Sequence, residues 1–94
     1  MKERILSPTS LPSVVAIVLN WCGEQDTVDC IESLRRATYP ALRILLVDNG
    51  SPDGSGDRLH TRFPDVSYLT TGANLGYAGG NNRGLERAIA DGAE

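Results

Sequence analysis

Apolar residues in this chain are concentrated in short, uninterrupted runs. One run extends from Val14 to Leu19, and a second extends from Ile44 to Val47. A continuous apolar run, in place of an alternating one, is typical of a strand that is covered on both faces. The pattern predicts strands over residues 13–20 and 43–47, and a third, shorter strand over residues 66–70.

Between these strands the spacing of apolar residues becomes helical. A first helix is predicted from about Glu24 to Ala37, because acidic residues near its start and basic residues near its end favour the helix dipole. Five of its residues are expected to share one face: Thr27, Cys30, Ile31, Leu34 and Thr38. A second, short helix is predicted through Arg62, with Leu59 and Phe63 buried.

The glycine-rich segment Gly76 to Gly80 is predicted to open a last helix, which runs to about Asp91. Four residues of this helix are spaced by four, three and four positions: Ala78, Asn82, Leu85 and Ile89. This spacing places Asn82 on the buried stripe of the helix. A buried amide needs hydrogen-bond partners, and we expect it to pin the glycine-rich loop or a neighbouring loop.

Strands and helices therefore alternate along the chain. Such alternation predicts parallel strands with right-handed crossovers, which is a βαβαβα half of a doubly wound, mainly parallel α/β sheet of the Rossmann-like kind. The strand ends at Asn20, Asp48 and Thr71 then open on one edge, where such sheets bind ligands. One edge of Val14–Leu19 is left without a partner strand, which favours self-association.

Length and charge narrow the functional classes. The chain has 94 residues, enough for one domain, and its net charge of −3 with scattered Lys and Arg argues against nucleic acid or an anionic membrane as partner. The run Val14–Leu19 is too short for a signal peptide or a membrane segment. We expect a flexible leader over residues 1–12, a single domain over residues 13–94, and a cytoplasmic protein.

The two cysteines and the one histidine indicate no metal or redox centre. No Cys-x-x-Cys spacing occurs, and two cysteines are too few for a disulfide framework. We expect Cys22 in a loop, Cys30 on a helix flank and His60 on the surface.

Asp48 is the first charged residue after the second apolar run, and a turn-forming stretch follows it. A carboxylate at this position can accept hydrogen bonds from ribose hydroxyls or from a base N–H. Asn20 ends the neighbouring strand, and Trp21 offers a flat ring on which a base can stack. Two simpler interpretations stay open: Asp48 caps its own turn, and Trp21 is a partly buried packing residue.

The position of the glycines does not match the common nucleotide-binding folds. A dinucleotide-binding unit has Gly-x-Gly-x-x-Gly after its first strand, where this chain has Asn-Trp-Cys-Gly at residues 20–23, and a P-loop needs a Gly-Lys pair that does not occur. Here the glycines follow the third strand. They either let backbone N–H groups approach an anion, or they permit tight packing of the helix on the sheet.

This arrangement resembles the N-terminal half of the inverting family 2 glycosyltransferases, which have the GT-A fold. The resemblance covers nearly the whole chain after residue 12. The sequence of residues 74–82, Asn-Leu-Gly-Tyr-Ala-Gly-Gly-Asn-Asn, is similar to that of the rhamnosyltransferase branch. It is carried by five segments: Val14–Asn20, Cys30–Leu34, Tyr39–Pro40, Val47–Ser55 and Asn74–Gly84.

The resemblance implies transfer of a sugar from a nucleoside diphosphate sugar to a glycan or lipid acceptor, with Mg²⁺ or Mn²⁺ neutralising the leaving diphosphate. It implies this set of substrate-binding residues: Asn20, Trp21, Asp48, Asn49, Gly76, Gly79, Gly80, Asn81 and Asn82. Family members commonly have a basic residue where Asn81 stands. The family's metal-binding Asp-x-Asp and its general base are expected beyond Glu94, so we predict no catalytic residue and no metal ligand in this chain.

These features favour the nucleotide-sugar-binding half of a glycosyltransferase that is inactive alone. Two alternatives follow from the same residues. One is a non-catalytic nucleotide-binding module, which would fold and bind nucleotide without a partner chain. The other is a truncated reading frame without an independent function.

Overall fold

The computed structural model describes residues 12–92, in which three strands and three helices alternate. The elements are β1 (Val14–Asn20), α1 (Glu24–Arg35), β2 (Leu42–Asp48), α2 (Ser55–Arg62), β3 (Ser67–Thr70) and α3 (Gly76–Ala90). Their order and type confirm the predicted α/β alternation. The predicted leader lies outside the described residues apart from Pro12, whose carbonyl accepts a hydrogen bond from the Tyr39 hydroxyl at 2.6 Å.

The three strands form one parallel sheet in the order β1-β2-β3. Val14 pairs with Leu42, and the register continues without interruption until Asn20 lies opposite Asp48. On the other side of β2, Asp48 lies opposite Thr70. The C-terminal ends of the three strands therefore meet at one edge of the sheet, which is the edge where parallel sheets bind ligands.

The main hydrophobic core lies between one face of the sheet and the helices α1 and α2. Seven buried residues form it: Val18, Val28, Ile31, Leu46, Leu59, Phe63 and Val66. Leu59 and Phe63 are buried as predicted. The guanidinium groups of Arg35 and Arg62 lie 5.1 Å and 5.6 Å from the centroid of the Phe63 ring and cover its outer side.

The face of α1 that meets this core differs slightly from the predicted one. Thr27, Val28 and Ile31 are buried, whereas Cys30 is exposed. Val28 takes the place in the core that the apolar spacing assigned to Cys30. The exposed position of Cys30 agrees with its expected location on a helix flank.

Helix α3 lies on the opposite face of the sheet and approaches it through a row of small residues. Gly80, Gly84 and Ala88 are buried. A Cβ added to Gly84 would lie 2.9 Å from Ile17 Cγ2 and 3.1 Å from Val47 Cγ2. Because a larger side chain would push the helix away from β1 and β2, these glycines permit the tight packing of α3 on the sheet.

The predicted buried stripe of α3 is therefore wrong. Ala78, Asn82, Leu85 and Ile89 are all exposed, so Asn82 is not a buried amide. Apolar spacing misled the prediction because the residues that face the sheet are glycines and an alanine. Such residues have too little side chain to produce a hydrophobic pattern.

The predicted surface positions of the two cysteines and of His60 are confirmed. Cys22 and Cys30 are free and exposed. The exposed His60 ring stacks on Tyr68 with 4.3 Å between the ring centroids, and burial raises the pKa of Tyr68. Among residues 12–92, no helix has the length and apolarity needed to cross a membrane.

Replacing Gly84 by Leu tests which face of α3 meets the sheet. The added side chain overpacks the contact with Ile17 and Val47, at a cost of about 3 kcal/mol, which exceeds the roughly 1 kcal/mol that a helix gains on losing a glycine. We expect the urea midpoint of Gly84→Leu to fall. Asn82→Leu, on the exposed face, serves as control and should keep its midpoint. A lower midpoint for Asn82→Leu with an unchanged midpoint for Gly84→Leu would mean that the face of α3 that carries Asn82 meets the sheet.

Candidate functional site

Polar side chains are buried together at the C-terminal edge of the sheet. Asn20 ends β1, Asp48 ends β2, Asn49 follows directly, and Ser55 opens α2; each is at most 4% exposed. A buried polar group without a partner is costly, so the position of each side chain depends on its hydrogen bonds. We call these four residues the edge cluster.

The Asp48 carboxylate is held by its own loop and by β1. Its Oδ1 accepts hydrogen bonds from Asn20 Nδ2 at 2.9 Å and from the Ser51 hydroxyl at 2.6 Å. Its Oδ2 accepts one from the Ser51 backbone N–H at 3.0 Å. This last bond is the turn-capping contact that the sequence left open as an alternative, and it shows that Asp48 stabilises its loop.

The first turn of α2 lies against this carboxylate. A Cβ added to Gly56 would lie 2.5 Å from Asp48 Oδ2, so a glycine is needed for the carboxylate to reach this position. The positive end of the α2 dipole then favours its negative charge. A second carboxylate, Asp53, lies in the loop before α2. Hydrogen bonds from the Ser55 hydroxyl and backbone N–H hold the pKa of Asp53 below its usual range.

The Asn20 amide is oriented from the other side by α1. Thr27 Oγ1 donates to Asn20 Oδ1 at 2.8 Å, which directs the amide nitrogen toward β2 and α2. Asn20 Nδ2 then donates to Asp48 Oδ1 and to Ser55 Oγ, both at 2.9 Å, and lies 3.2 Å from Ser51 Oγ. Thr27 therefore determines which end of the amide faces the carboxylate.

Asn49 holds the glycine-rich loop to the end of β2. Its Oδ1 accepts hydrogen bonds from the Leu75 N–H at 3.2 Å and from Thr71 Oγ1 at 2.9 Å, whose single proton is shared with the Ala73 carbonyl at 2.6 Å. Its Nδ2 donates to Asn74 Oδ1 at 3.2 Å and to the Gly76 carbonyl at 3.0 Å. These four bonds fill the capacity of the amide. The buried amide that pins this loop is thus Asn49, directly after β2, and not Asn82 of α3 as the sequence predicted.

The other predicted site residues surround the edge cluster. Trp21 follows β1 on the surface and is 44% exposed. Five more lie in the first two turns of α3: Gly76, Gly79, Gly80, Asn81 and Asn82. Of the two amides, Asn81 is half-buried and Asn82 is exposed. A Cβ on Gly80 would lie 3.2 Å from Asn49 Nδ2, so this glycine allows α3 to approach the edge cluster.

Four contributors to the site were missed by the sequence analysis: Thr27, Ser51, Ser55 and Asn74. Ser51 stands three residues after Asp48, a spacing at which a turn carboxylate accepts a backbone hydrogen bond, so this signal was present in the sequence. The bonds of Thr27 and Ser55 to Asn20 depend on how α1 and α2 pack. No local pattern predicts them.

The described residues do not fit a metal ion. Within residues 12–92, no three His, Cys, Asp or Glu side chains converge as a ligand set. The oxygens of the edge cluster are bonded to one another through amide and hydroxyl donors. What the arrangement provides is a fixed carboxylate at the end of β2, an exposed indole ring directly after β1, and a glycine-rich helix start.

Comparisons with known proteins agree with this architecture. The family model described as Glycosyl transferase family 2 matches residues 13–91. The N-acetylglucosaminyl-diphospho-decaprenol L-rhamnosyltransferase of Mycobacterium tuberculosis is 47% identical over 53 residues, which are 56% of this chain and 17% of that protein. The low-salt glycan biosynthesis hexosyltransferase Agl10 of Haloferax volcanii is 31% identical over 81 residues, which are 86% of this chain and 24% of that protein.

A solved structure matches the fold as well. The mannosyltransferase PcManGT from Pyrobaculum calidifontis, in complex with GDP-Man and Mn²⁺, is similar with a TM-score of 0.67 and 25% sequence identity. The match covers 86% of this chain and 26% of that one. The chain therefore spans 17% to 26% of the length of these three proteins.

Thr27→Val removes the hydroxyl that orients the Asn20 amide and keeps the shape of the side chain. The buried Asn20 Oδ1 then lacks its donor, at a cost of about 1–3 kcal/mol. We expect the free energy of unfolding in urea to fall by this amount, and Thr27→Ser to recover part of it. Thr61→Val, at an exposed position of α2, is the control. An unchanged value for Thr27→Val would mean that α1 does not hold the amide.

Proposed function

Because the chain belongs to glycosyl transferase family 2, we propose that it binds the nucleotide of a nucleoside diphosphate sugar at the C-terminal edge of its sheet. In this proposal it is the donor-binding half of the catalytic domain of an enzyme that transfers a sugar from this donor to a glycan or lipid acceptor. The relatives are named as a rhamnosyl-, a hexosyl- and a mannosyltransferase, and the last was solved with GDP-Man and Mn²⁺, which supports a donor of this class.

The observation that carries this proposal is the Asp48 carboxylate, held at the end of β2 opposite Asn20, the residue that precedes the half-exposed Trp21. A carboxylate with fixed protein partners is a preorganised acceptor, because it need not be reoriented when a ligand N–H or O–H arrives. Asp48 is 4% exposed, and its Oδ2 accepts a single hydrogen bond from the described residues, so it keeps acceptor capacity for a ribose hydroxyl or a base N–H that reaches this largely buried group. Trp21 offers the base a stacking surface.

The remaining residues hold the carboxylate and the glycine-rich loop in place, or lie at the start of α3, where we place the diphosphate. Asn20 fixes the Asp48 carboxylate, and Asn49 fixes the loop that precedes α3. The first turn of α3 contains no acidic residue, so the positive end of its dipole favours the diphosphate. Gly80 lets that backbone approach Asn49, and Gly76 begins the helix with a positive φ of 77°. In this proposal Gly79 adds a small residue to the same turn, and Asn81 and Asn82 add uncharged amides.

Sugar transfer itself needs groups outside this arrangement. In this proposal a divalent ion and a general base come from the part of the longer relatives that this chain does not span. The described residues offer no ligand set for the ion, so we assign to this chain only donor binding and orientation, without turnover of its own. A cytoplasmic location stays a prediction.

Titration of GDP, UDP and dTDP into the 94-residue chain tests the proposal. Trp21 is the single tryptophan of the sequence, so quenching of its fluorescence reports on a base that stacks at this site. We expect saturable quenching by at least one of the three nucleotides. A chain that unfolds cooperatively in urea but binds none of them would overturn the proposal and favour a truncated reading frame.

Asp48→Asn is expected to weaken this nucleotide affinity ten- to hundredfold, the equivalent of roughly 1.5–3 kcal/mol, since charge and acceptor capacity are lost together. The new amide also directs an N–H toward a donor of Asn20 or Ser51, so we expect the variant to be less stable than the wild type. The affinities are therefore compared under conditions in which circular dichroism shows that both proteins are folded. Asp57→Asn removes an exposed carboxylate of α2 and should bind as the wild type does. Equal affinities for the wild type and Asp48→Asn would leave Asp48 as a turn residue.

A further inference from the structure

The Ser51 side chain lies where the loop after β1 meets the loop after β2. Ser51 is half-buried and stands three residues after Asp48. Its hydroxyl donates to Asp48 Oδ1 at 2.6 Å, and its backbone N–H donates to Asp48 Oδ2 at 3.0 Å. One residue therefore holds both oxygens of the carboxylate, and a rotation of the carboxylate would break at least one of these charge-assisted bonds.

The same hydroxyl oxygen also accepts a hydrogen bond from the loop after β1. The Cys22 N–H donates to Ser51 Oγ at 3.0 Å, and Asn20 Nδ2 lies 3.2 Å from it. A hydroxyl has one proton to donate and two lone pairs that accept. With the proton on Asp48, these two contacts occupy both lone pairs. They leave Ser51 Oγ no capacity for a ligand, so this residue can act on a ligand only through its partners.

The bond from Cys22 fixes the peptide group that follows Trp21. The N–H of Cys22 belongs to the same planar unit as the Trp21 carbonyl, so a bond to this N–H holds the plane next to the Trp21 Cα. Cys22 has a φ of 52°, a left-handed conformation that is uncommon for a residue with a side chain. Such a conformation persists where surrounding contacts maintain it, and the Ser51 hydroxyl supplies one of them.

The turn that contains Ser51 is also held from the side of β3. Gly50 has a φ of 79°, and a Cβ added to it would lie 2.6 Å from the Ala73 Cα, so the turn touches the loop before α3. The Thr71 N–H donates to the Asp48 carbonyl at 3.0 Å. Ser51 therefore belongs to a turn of fixed position, and its hydroxyl extends this fixed position to the loop after β1.

We propose that Ser51 is a positioning residue of the nucleotide site, whose hydroxyl couples the Trp21–Cys22 peptide to the Asp48 carboxylate. The inference rests on the proposed function, in which the Trp21 ring stacks on the base and Asp48 accepts a hydrogen bond from the ribose or the base. Both groups contact one nucleotide only if the two loops keep a constant relation to each other. The Ser51 hydroxyl provides this relation before the nucleotide arrives, which lowers the cost of ordering on binding.

Amide hydrogen exchange, followed by NMR, tests the coupling without a ligand. We expect Ser51→Ala to speed the exchange of the Cys22 N–H by about tenfold or more, because the acceptor of its hydrogen bond is lost. Ser51→Thr keeps a hydroxyl and should retain most of the protection. Ser67→Ala removes an exposed hydroxyl at the N-terminal end of β3 and serves as the control, with an unchanged exchange rate.

Binding of GDP, UDP and dTDP, measured by Trp21 fluorescence, tests the effect on the nucleotide site. For the nucleotide that binds the wild type, Ser51→Ala should lower the affinity about tenfold, and Ser51→Thr should recover most of it. Ser67→Ala should bind as the wild type does. Affinities are compared under conditions in which circular dichroism shows that all the proteins are folded. If Ser51→Ala does not fold, Ser51→Cys replaces it, because a thiol is a weaker donor than a hydroxyl.

The outcomes separate a failure of this inference from a failure of the proposed function. A wild type that binds a nucleotide no more tightly than Ser51→Ala does would overturn the inference and leave the nucleotide site in place. Unchanged exchange of the Cys22 N–H in Ser51→Ala would overturn it too, since the two loops are then not coupled through this hydroxyl. A wild-type chain that binds none of the three nucleotides would overturn the proposed function, and this inference with it.

Discussion

The hydrogen bond between Asn20 and Asp48 is the interaction on which the candidate site depends. It exists because two parallel strands end in register, which places the last residue of β1 opposite the last residue of β2. Where water is excluded, such a bond is stable only if the other polar atoms around it are satisfied as well. Thr27 of α1 and Ser55 of α2 meet this requirement, so both helices on this face contribute to the position of one carboxylate.

Close packing of α3 determines the structure on the other face of the sheet. Gly80 and Gly84 allow the helix to lie against β1 and β2, and the loop before the helix thereby comes within reach of Asn49. The same small residues leave the larger side chains of α3 outside, where Tyr77 and Ile89 are exposed. The position of the glycine-rich loop and the exposure of these apolar side chains thus have one physical cause.

The polar residues at the C-terminal edge of the sheet differ in how many of their hydrogen-bonding positions the protein itself uses. Asn49 uses all four of its hydrogen-bonding positions within the protein, and Asn20 is directed inward by Thr27. Asp48 Oδ2 accepts one hydrogen bond from the described residues, and the Trp21 ring is 44% exposed. The proposed nucleotide site depends on these two groups, and Asn20 and Asn49 serve as its support.

The sequence by itself determined the six elements, their parallel arrangement and the meeting of Asn20 and Asp48 at one edge, because apolar runs and turn residues act over a few neighbouring positions. Only the tertiary structure decided which face of α3 is buried, since glycine leaves no hydrophobic pattern, and Asn82 was misplaced for this reason. It also decided the partners of the buried amides. Asn20 and Ser55 are separated by 35 residues, and their contact depends on how α2 packs on the sheet, which no local pattern encodes.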